Sequence, residues 1–302
     1  MHIMLGQIFA LLTAACWAHN SIVYSEAGKR VGSRAVTHVR LWIALPAMLA
    51  VHFIVLGRFF PTGFQVSVYL YLLLSGFFGF FIADLLIFKA FVDAGPRETL
   101  VIMTLSPIFA ALFSWVVLGE VLSPLQILGI LATVGGVIWV IIEEGARGRG
   151  VKSPEASRKR LGALFALGGA FTQALGMMLA KAGLVSGLHP VSGNLLRLAA
   201  GLAGLILYAL IRGSFVRDFA AMKDRTALGL TASGAIIGPV LGIVLSLYAL
   251  SWAPVGIVTA LMQTSPILLL PLDHYVFKKR VTPGALAGTL VAVGGTILLF
   301  SL

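Results

Sequence analysis

Charge is what this sequence has least of. Only 11% of its 302 residues are charged, where an ordinary soluble domain carries about a quarter. The hydrophobic set makes up 59%, and the mean hydropathy is +1.01. With so few groups to coat a surface facing water, the chain must face lipid. A soluble enzyme, a cytosolic nucleic-acid-binding module and a disordered chain are all excluded. Cysteine is nearly absent too. Cys16 stands alone, which rules out an internal disulfide and any multi-thiolate metal site.

Other absences narrow the chemistry. No glycine-rich loop ending in Lys-Ser/Thr cradles a phosphate, so this chain does not hydrolyse ATP as an energy source. The six histidines show no ligand spacing such as i, i+4, and no metal or cofactor is expected. Neither a Gly-x-Ser-x-Gly elbow nor paired membrane aspartates are present, so the expected protein is not an enzyme. Acidic residues number 11 against 22 basic ones. In a membrane protein that imbalance reports topology first.

What is present is a series of apolar runs. A helix crossing about 30 Å of hydrocarbon needs roughly 20 residues, and about ten such runs occur: 3–25, 35–57, 67–91, 98–118, 124–142, 161–183, 191–211, 227–251, 255–276 and 283–301. One long polar stretch, 143–160, carries Arg147, Arg149, Lys152, Arg158, Lys159 and Arg160 and divides the chain into 1–142 and 161–302. Alternate loops put Lys29, Arg30, Arg34, Arg97, the linker cations, Arg212, Arg217, Lys223, Arg225, Lys278, Lys279 and Arg280 on one side, and only Arg58 and Lys181 on the other. The positive-inside rule makes the first side cytoplasmic and places both termini across the membrane from it.

The halves repeat one another. Leu5-Gly6 and Phe9-Ala10 recur as Leu161-Gly162 and Phe165-Ala166, Arg40-Leu41 as Arg197-Leu198, Ser106-Pro107-Ile108 as Ser265-Pro266-Ile267, and Pro124, Gly129 and Gly135-Gly136 as Pro283, Gly288 and Gly294-Gly295. Each half holds five helices, an odd number, so the second enters the membrane upside down. An inverted repeat with a midplane site is how many secondary transporters obtain two interconvertible states. The expected fold is an all-α polytopic membrane protein of about ten transmembrane helices in two inverted five-helix repeats.

These residues carry a resemblance that spans nearly the whole chain. Ten spans in inverted halves, the Ser-Pro in helices 4 and 9, Leu118-Gly119-Glu120 and the late Gly-Gly pairs resemble the drug/metabolite transporter superfamily, EamA branch. Trp17-Ala18-His19-Asn20 and the aromatic content are similar to its bacterial aromatic amino-acid exporters. The resemblance implies a bacterial inner-membrane exporter with periplasmic termini, whose helices 4 and 9 line a cavity and flex at Pro107 and Pro266. Glu120 departs from the repeat, since Lys279 stands at the matching place.

Within the hydrocarbon every ionisable group needs a partner, water or a function. Asp84 is the deepest carboxylate: a proton or amine site, or the partner of Arg40 or Lys89. Arg197, with Lys181 at comparable depth, forks onto a substrate carboxylate or snorkels to the interface. His19 titrates or packs as a neutral ring. Asn20 and Gln173 both donate and accept, which suits a zwitterion. With Trp17, Tyr24, Phe80, Met103, Thr104, Met177, Tyr248, Met262 and Gln263 they are the candidate cavity residues; Tyr71, Ser75 and Met178 extend the set. Gly234-x3-Gly238-x3-Gly242 and Gly284-x3-Gly288 are packing faces, and helices 5 and 10 are peripheral. The expected function is export of small amphiphilic metabolites, aromatic or neutral amino acids foremost, by alternating access; the alternative is a proton-coupled multidrug or organic-cation exporter. The expected partners are the substrate and the bilayer, without nucleic acid, and a monomer suffices because one chain completes the site.

Overall fold

The computed structural model describes residues 2–109, 112–113, 123–146, 154–184, 186–252, 261–269 and 282–299. Its regular structure among them is entirely helical. In chain order these are α1 (His2–Val31), α2 (Ser33–Leu56), α3 (Val66–Gly76), α4 (Ala83–Asp93), α5 (Pro96–Met103), α6 (Pro124–Ala146), α7 (Pro154–Leu184), α8 (Pro190–Ile211), α9 (Phe215–Ala221), α10 (Arg225–Ala235), α11 (Ile243–Trp252) and α12 (Pro283–Leu299). Among the described residues, six uninterrupted helical stretches are long and apolar enough to cross a bilayer, and α6 and α12 add two shorter apolar ones. Most of the ninth expected span, the end of the fourth, Glu120, Lys279 and the Lys181 side chain lie outside the described residues. α7 starts at Pro154, inside the stretch read as a polar linker.

The third and eighth spans hide a feature that periodicity does not show. α3 runs into α4 through a π-helical segment, Phe77–Ile82, and α10 into α11 through another, Ile236–Gly242. Both segments begin at matching points of the two repeats. Pro239 lies within the second and has no N–H for the helical ladder. Asn194 of α8 donates to the Pro239 carbonyl at 2.8 Å. The first segment has no proline; here Gly76 and Gly79 bring the backbone against α8 and α7.

Matching helices run antiparallel, which is inversion seen directly. At one end of the α2–α8 pair, His52 Nε2 lies 2.9 Å from Ser192 Oγ; at the other, Arg34 of α2 reaches Asp218, just beyond α8. The α6–α12 pair is built the same way. A Cβ at Gly136 would strike the backbone of Ala292 and Gly288, and one at Gly295 the backbone of Thr133 and Gly129. The peripheral fifth and tenth spans are thus each other's partners.

Glycines also seat the first span against the eighth. Gly234, Gly238 and Gly242 face Tyr24, Asn20 and Cys16, one helical turn apart in opposite order. The mirror contact sets Gly183, Gly176 and Gly169 of α7 against Leu72, Gly79 and Ile87, where Ser75 Oγ donates to the Gly176 carbonyl at 2.5 Å. Small residues do here what apolar burial does in water, letting helices approach where lipid offers no hydrophobic drive.

Candidate functional site: two arginines about one phenyl ring

The centre of the molecule is built on two symmetry-related arginines. Arg40 and Arg197 occupy the eighth positions of α2 and α8 and are each 2% exposed. Both guanidiniums stand over Phe80 of the first π segment, at 5.8 Å and 5.1 Å from its ring centroid. Their stems do not carry them to the interface, which removes snorkelling as the account of Arg197.

Their electrostatics differ. Arg40 forms an ion pair with Asp84 and lies 4.7 Å from the Phe88 centroid and 5.6 Å from that of Tyr24. Lys89 is not the partner of Asp84; its Nζ lies 2.7 Å from Asp93 instead. Arg197 has no carboxylate among the described residues. Its Nη2 meets the Met177 sulfur at 3.8 Å, and its Nε has no hydrogen-bond partner. A buried charge costs about 3 kcal/mol or more in hydrocarbon, whereas a cation over a ring returns about 0.5–2. The second arginine is therefore left uncompensated by about 1 kcal/mol or more on these scales.

Other candidates gather nearby. Tyr24 packs on Phe88 as a tilted pair with centroids 4.4 Å apart, and its hydroxyl makes no hydrogen bond among the described residues. Asn20 is 2% exposed; its Oδ1 lies 3.3 Å from His19 Nδ1 and its Nδ2 is unpaired. His19 borders an open apolar groove of about 410 Å3 on the surface between the first and eighth spans, otherwise lined by Leu12, Ala15, Cys16, Ile237, Leu241 and Leu245. Gln173 and Met177 are half-buried on α7.

The remaining candidates border this centre or lie apart from it. Trp17 packs at the edge of the apolar cluster around Leu41 and Leu195. Met103 joins the cluster around Tyr24 and Phe88, while Met262 packs on Ala10 and Ala249. Tyr248 stands 6.4 Å from His189, and Gln263 is half-buried in a turn. Tyr71 is 43% exposed.

Both Ser-Pro spans are broken one turn ahead of the proline. After α5, Thr104 and Leu105 turn with i to i−3 bonds of 3.1 and 3.0 Å, and Thr104 Oγ1 donates to Val101 O at 2.6 Å. At the equivalent place Thr264 bonds Leu261 O through backbone N–H (3.1 Å) and hydroxyl (2.7 Å). Ser265 then donates to Met262 O, the carbonyl that Pro266 frees, at 2.9 Å. Ser106 makes no matching bond to Met103; Thr104 holds that turn.

The ion pairs between the repeats, among the described residues, all lie at the basic end of the bundle. Asp218 of α9, 2% exposed, takes Arg34 Nε at 3.2 Å, His38 Nδ1 at 3.3 Å and Ser214 Oγ at 3.1 Å. Arg30 reaches Asp224 at 3.8 Å, and at the same end Arg158, from the linker stretch that begins α7, reaches Asp93 at 3.2 Å. Among the described residues no three His, Cys, Asp or Glu side chains converge as a metal site.

Sequence reasoning included Arg197 in the site but left Arg40 outside it as a counter-ion. The signal was present: Arg40-Leu41 and Arg197-Leu198 are the same repeat position, and symmetry demands that they be read together.

An all-α bundle of inverted repeats, with buried charge and unpaired polar groups at its centre, defines a polytopic membrane protein of the transporter type. The model of the EamA-like transporter family matches residues 4–142 and again 160–301. The chain belongs to that family, within which proteins carry small molecules across membranes. No curated protein matches the chain. A solved structure described only as "Crystal structure of protein" is similar in fold, with a TM-score of 0.63 and 20% identity over 97% of each chain.

Proposed function

We propose that the protein exports small amphiphilic metabolites, aromatic and other neutral amino acids foremost, by alternating access between its two repeats. The observation that carries this reading is the buried polar-aromatic centre shared by the repeats: Asn20, Tyr24, Phe80, Gln173, Met177 and Arg197 combine aromatic and sulfur surface with hydrogen-bonding groups of both kinds. A zwitterion with an apolar side chain matches such a surface. The breaks before Pro107 and Pro266 serve as the paired hinges, and the ion pairs of Asp218, Asp224 and Asp93 close the basic end in this state. The charge distribution supports termini on the side opposite the basic loops, and the resemblance to bacterial exporters supports an inner membrane with periplasmic termini. The second reading, a proton-coupled organic-cation exporter, needs a free carboxylate, and Asp84 is committed to Arg40.

The test is uptake of labelled phenylalanine, tryptophan, threonine and a lipophilic cation into proteoliposomes, with and without a pH gradient. Saturable amino-acid exchange is expected. Gradient-driven cation flux without amino-acid flux would replace this reading with the second.

A further inference from the structure

We propose that Arg197 anchors the carboxylate of the transported molecule, so that the substrate is an organic carboxylate, free or within a zwitterion, and not an organic cation. This rests on the transporter reading above and narrows it.

The argument starts from a broken symmetry. Arg40 and Arg197 are the same position of the two repeats, and the π segments that follow them begin at Phe77 and Ile236, an offset of 159. Applied to Asp84, the partner of Arg40, that offset falls on Ile243. The second half therefore holds its cation without the carboxylate that balances the first. Arg197 is 2% exposed, and among the described residues its Nε is unpartnered and Nη2 has only a thioether at 3.8 Å and a phenyl face. A guanidinium presents five N–H donors in a planar fork shaped for a carboxylate, and neither neighbour satisfies that fork.

Glycine leaves a gap beside the guanidinium, and the groups around it suit the rest of a ligand. Among the described residues, a Cβ at Gly79 would make ordinary van der Waals contact with Arg197 Nη2 at 3.4 Å and with Gln173 Oε1 at 3.7 Å, so a methyl-sized space adjoins the fork in this state. Gln173 Oε1 offers an acceptor for an ammonium beside the carboxylate, while Phe80 and Met177 offer aromatic and sulfur surface to a side chain. Gln173 and Met177 are themselves only half-buried.

The test compares phenylalanine, 3-phenylpropionate and phenethylamine, which carry both charged groups, the carboxylate alone and the amine alone. Each is measured as a competitor of labelled phenylalanine in proteoliposomes and as a stabiliser of the purified protein in detergent. Phenylalanine and 3-phenylpropionate should compete and stabilise; phenethylamine should do neither. Arg197→Gln should weaken both ligands about tenfold or more without lowering the melting temperature of the free protein. Gly79→Asp, which sets a carboxylate beside the guanidinium, should remove carboxylate binding, and the uncharged Gly79→Asn should weaken it far less. These two variants carry the test if Arg197→Gln does not fold. Unchanged affinity in Arg197→Gln, equal effects of Gly79→Asp and Gly79→Asn, competition by phenethylamine, or no binding of any carboxylate probe would each overturn the proposal. Arg197-dependent binding of 3-phenylpropionate with no amino-acid transport would instead retain the anchor and remove amino-acid export.

Discussion

His38 Nδ1 lies 3.3 Å from a carboxylate oxygen of Asp218, and the two side chains, 1% and 2% exposed, come from opposite repeats. Arg34 and Ser214 hold the same carboxylate. Asp218→Asn removes its charge but not its shape. It should destabilise the protein by about 1–3 kcal/mol, read as a lower melting temperature in detergent. In a Cys16→Ser background, a cysteine at buried Thr37 should react several-fold faster with a maleimide once Asp218→Asn is added. Unchanged labelling would mean that the cluster does not hold this end closed.

Asp84→Asn strands Arg40 as an unpaired buried charge. The expected cost is about 3–5 kcal/mol, with partial recovery in the double change Arg40→Met, Asp84→Leu, which removes both charges together. Thermal unfolding of the two variants beside the unaltered protein decides this. A full-stability Asp84→Asn that loses only transport would return Asp84 to the role of proton site.

Adjacent glycines should behave oppositely. A Cβ at Gly135 or Gly294 meets nothing within 4 Å, whereas one at Gly136 or Gly295 meets the backbone of the opposing helix. Gly135→Ala and Gly294→Ala should stabilise by up to about 1 kcal/mol through helix propensity. Gly136→Ala and Gly295→Ala should cost about 1–3 kcal/mol as the helices are forced apart. Melting temperatures of the four single variants check the pattern.

His189, just outside the span of α8, is held below the usual imidazole range by burial and then by nearby His52. The neutral ring accepts from the Val191 N–H at 3.3 Å and caps the helix. With the folded value lowered, the unfolded chain protonates first as pH falls, so this stability is complete above about pH 6.5 and declines below it. The melting temperature should drop between about pH 7.5 and 5.5, and His189→Asn, which caps without titrating, should flatten that part of the curve.

The sequence carried the architecture because lipid leaves few solutions: apolar length marks spans, and a fixed offset marks repeats. It also carried Asp84 and Arg197, since buried charge is rare enough to notice. It did not carry the π segments, because Phe77–Ile82 is an unbroken apolar run and one extra residue per turn leaves no trace in hydropathy. Nor did it separate Gly135 from Gly136. Which face of a helix meets another is set by the crossing and not by the residue.

The repeats are not equal in length. The offset is 157 at Arg40 and Arg197 but 159 at Phe77 and Ile236, so the second repeat is two residues longer over the interval from Arg197 to Ile236, which includes α9 and supplies Asp218. On the proposed alternating-access reading, two halves related by a twofold axis would, left alone, give an inward-facing and an outward-facing form of nearly the same energy. α9 lifts that degeneracy. Among the described residues it fastens one mouth through the Asp218 carboxylate, where the other mouth has His52 against Ser192 and no carboxylate, and so sets a preferred resting orientation.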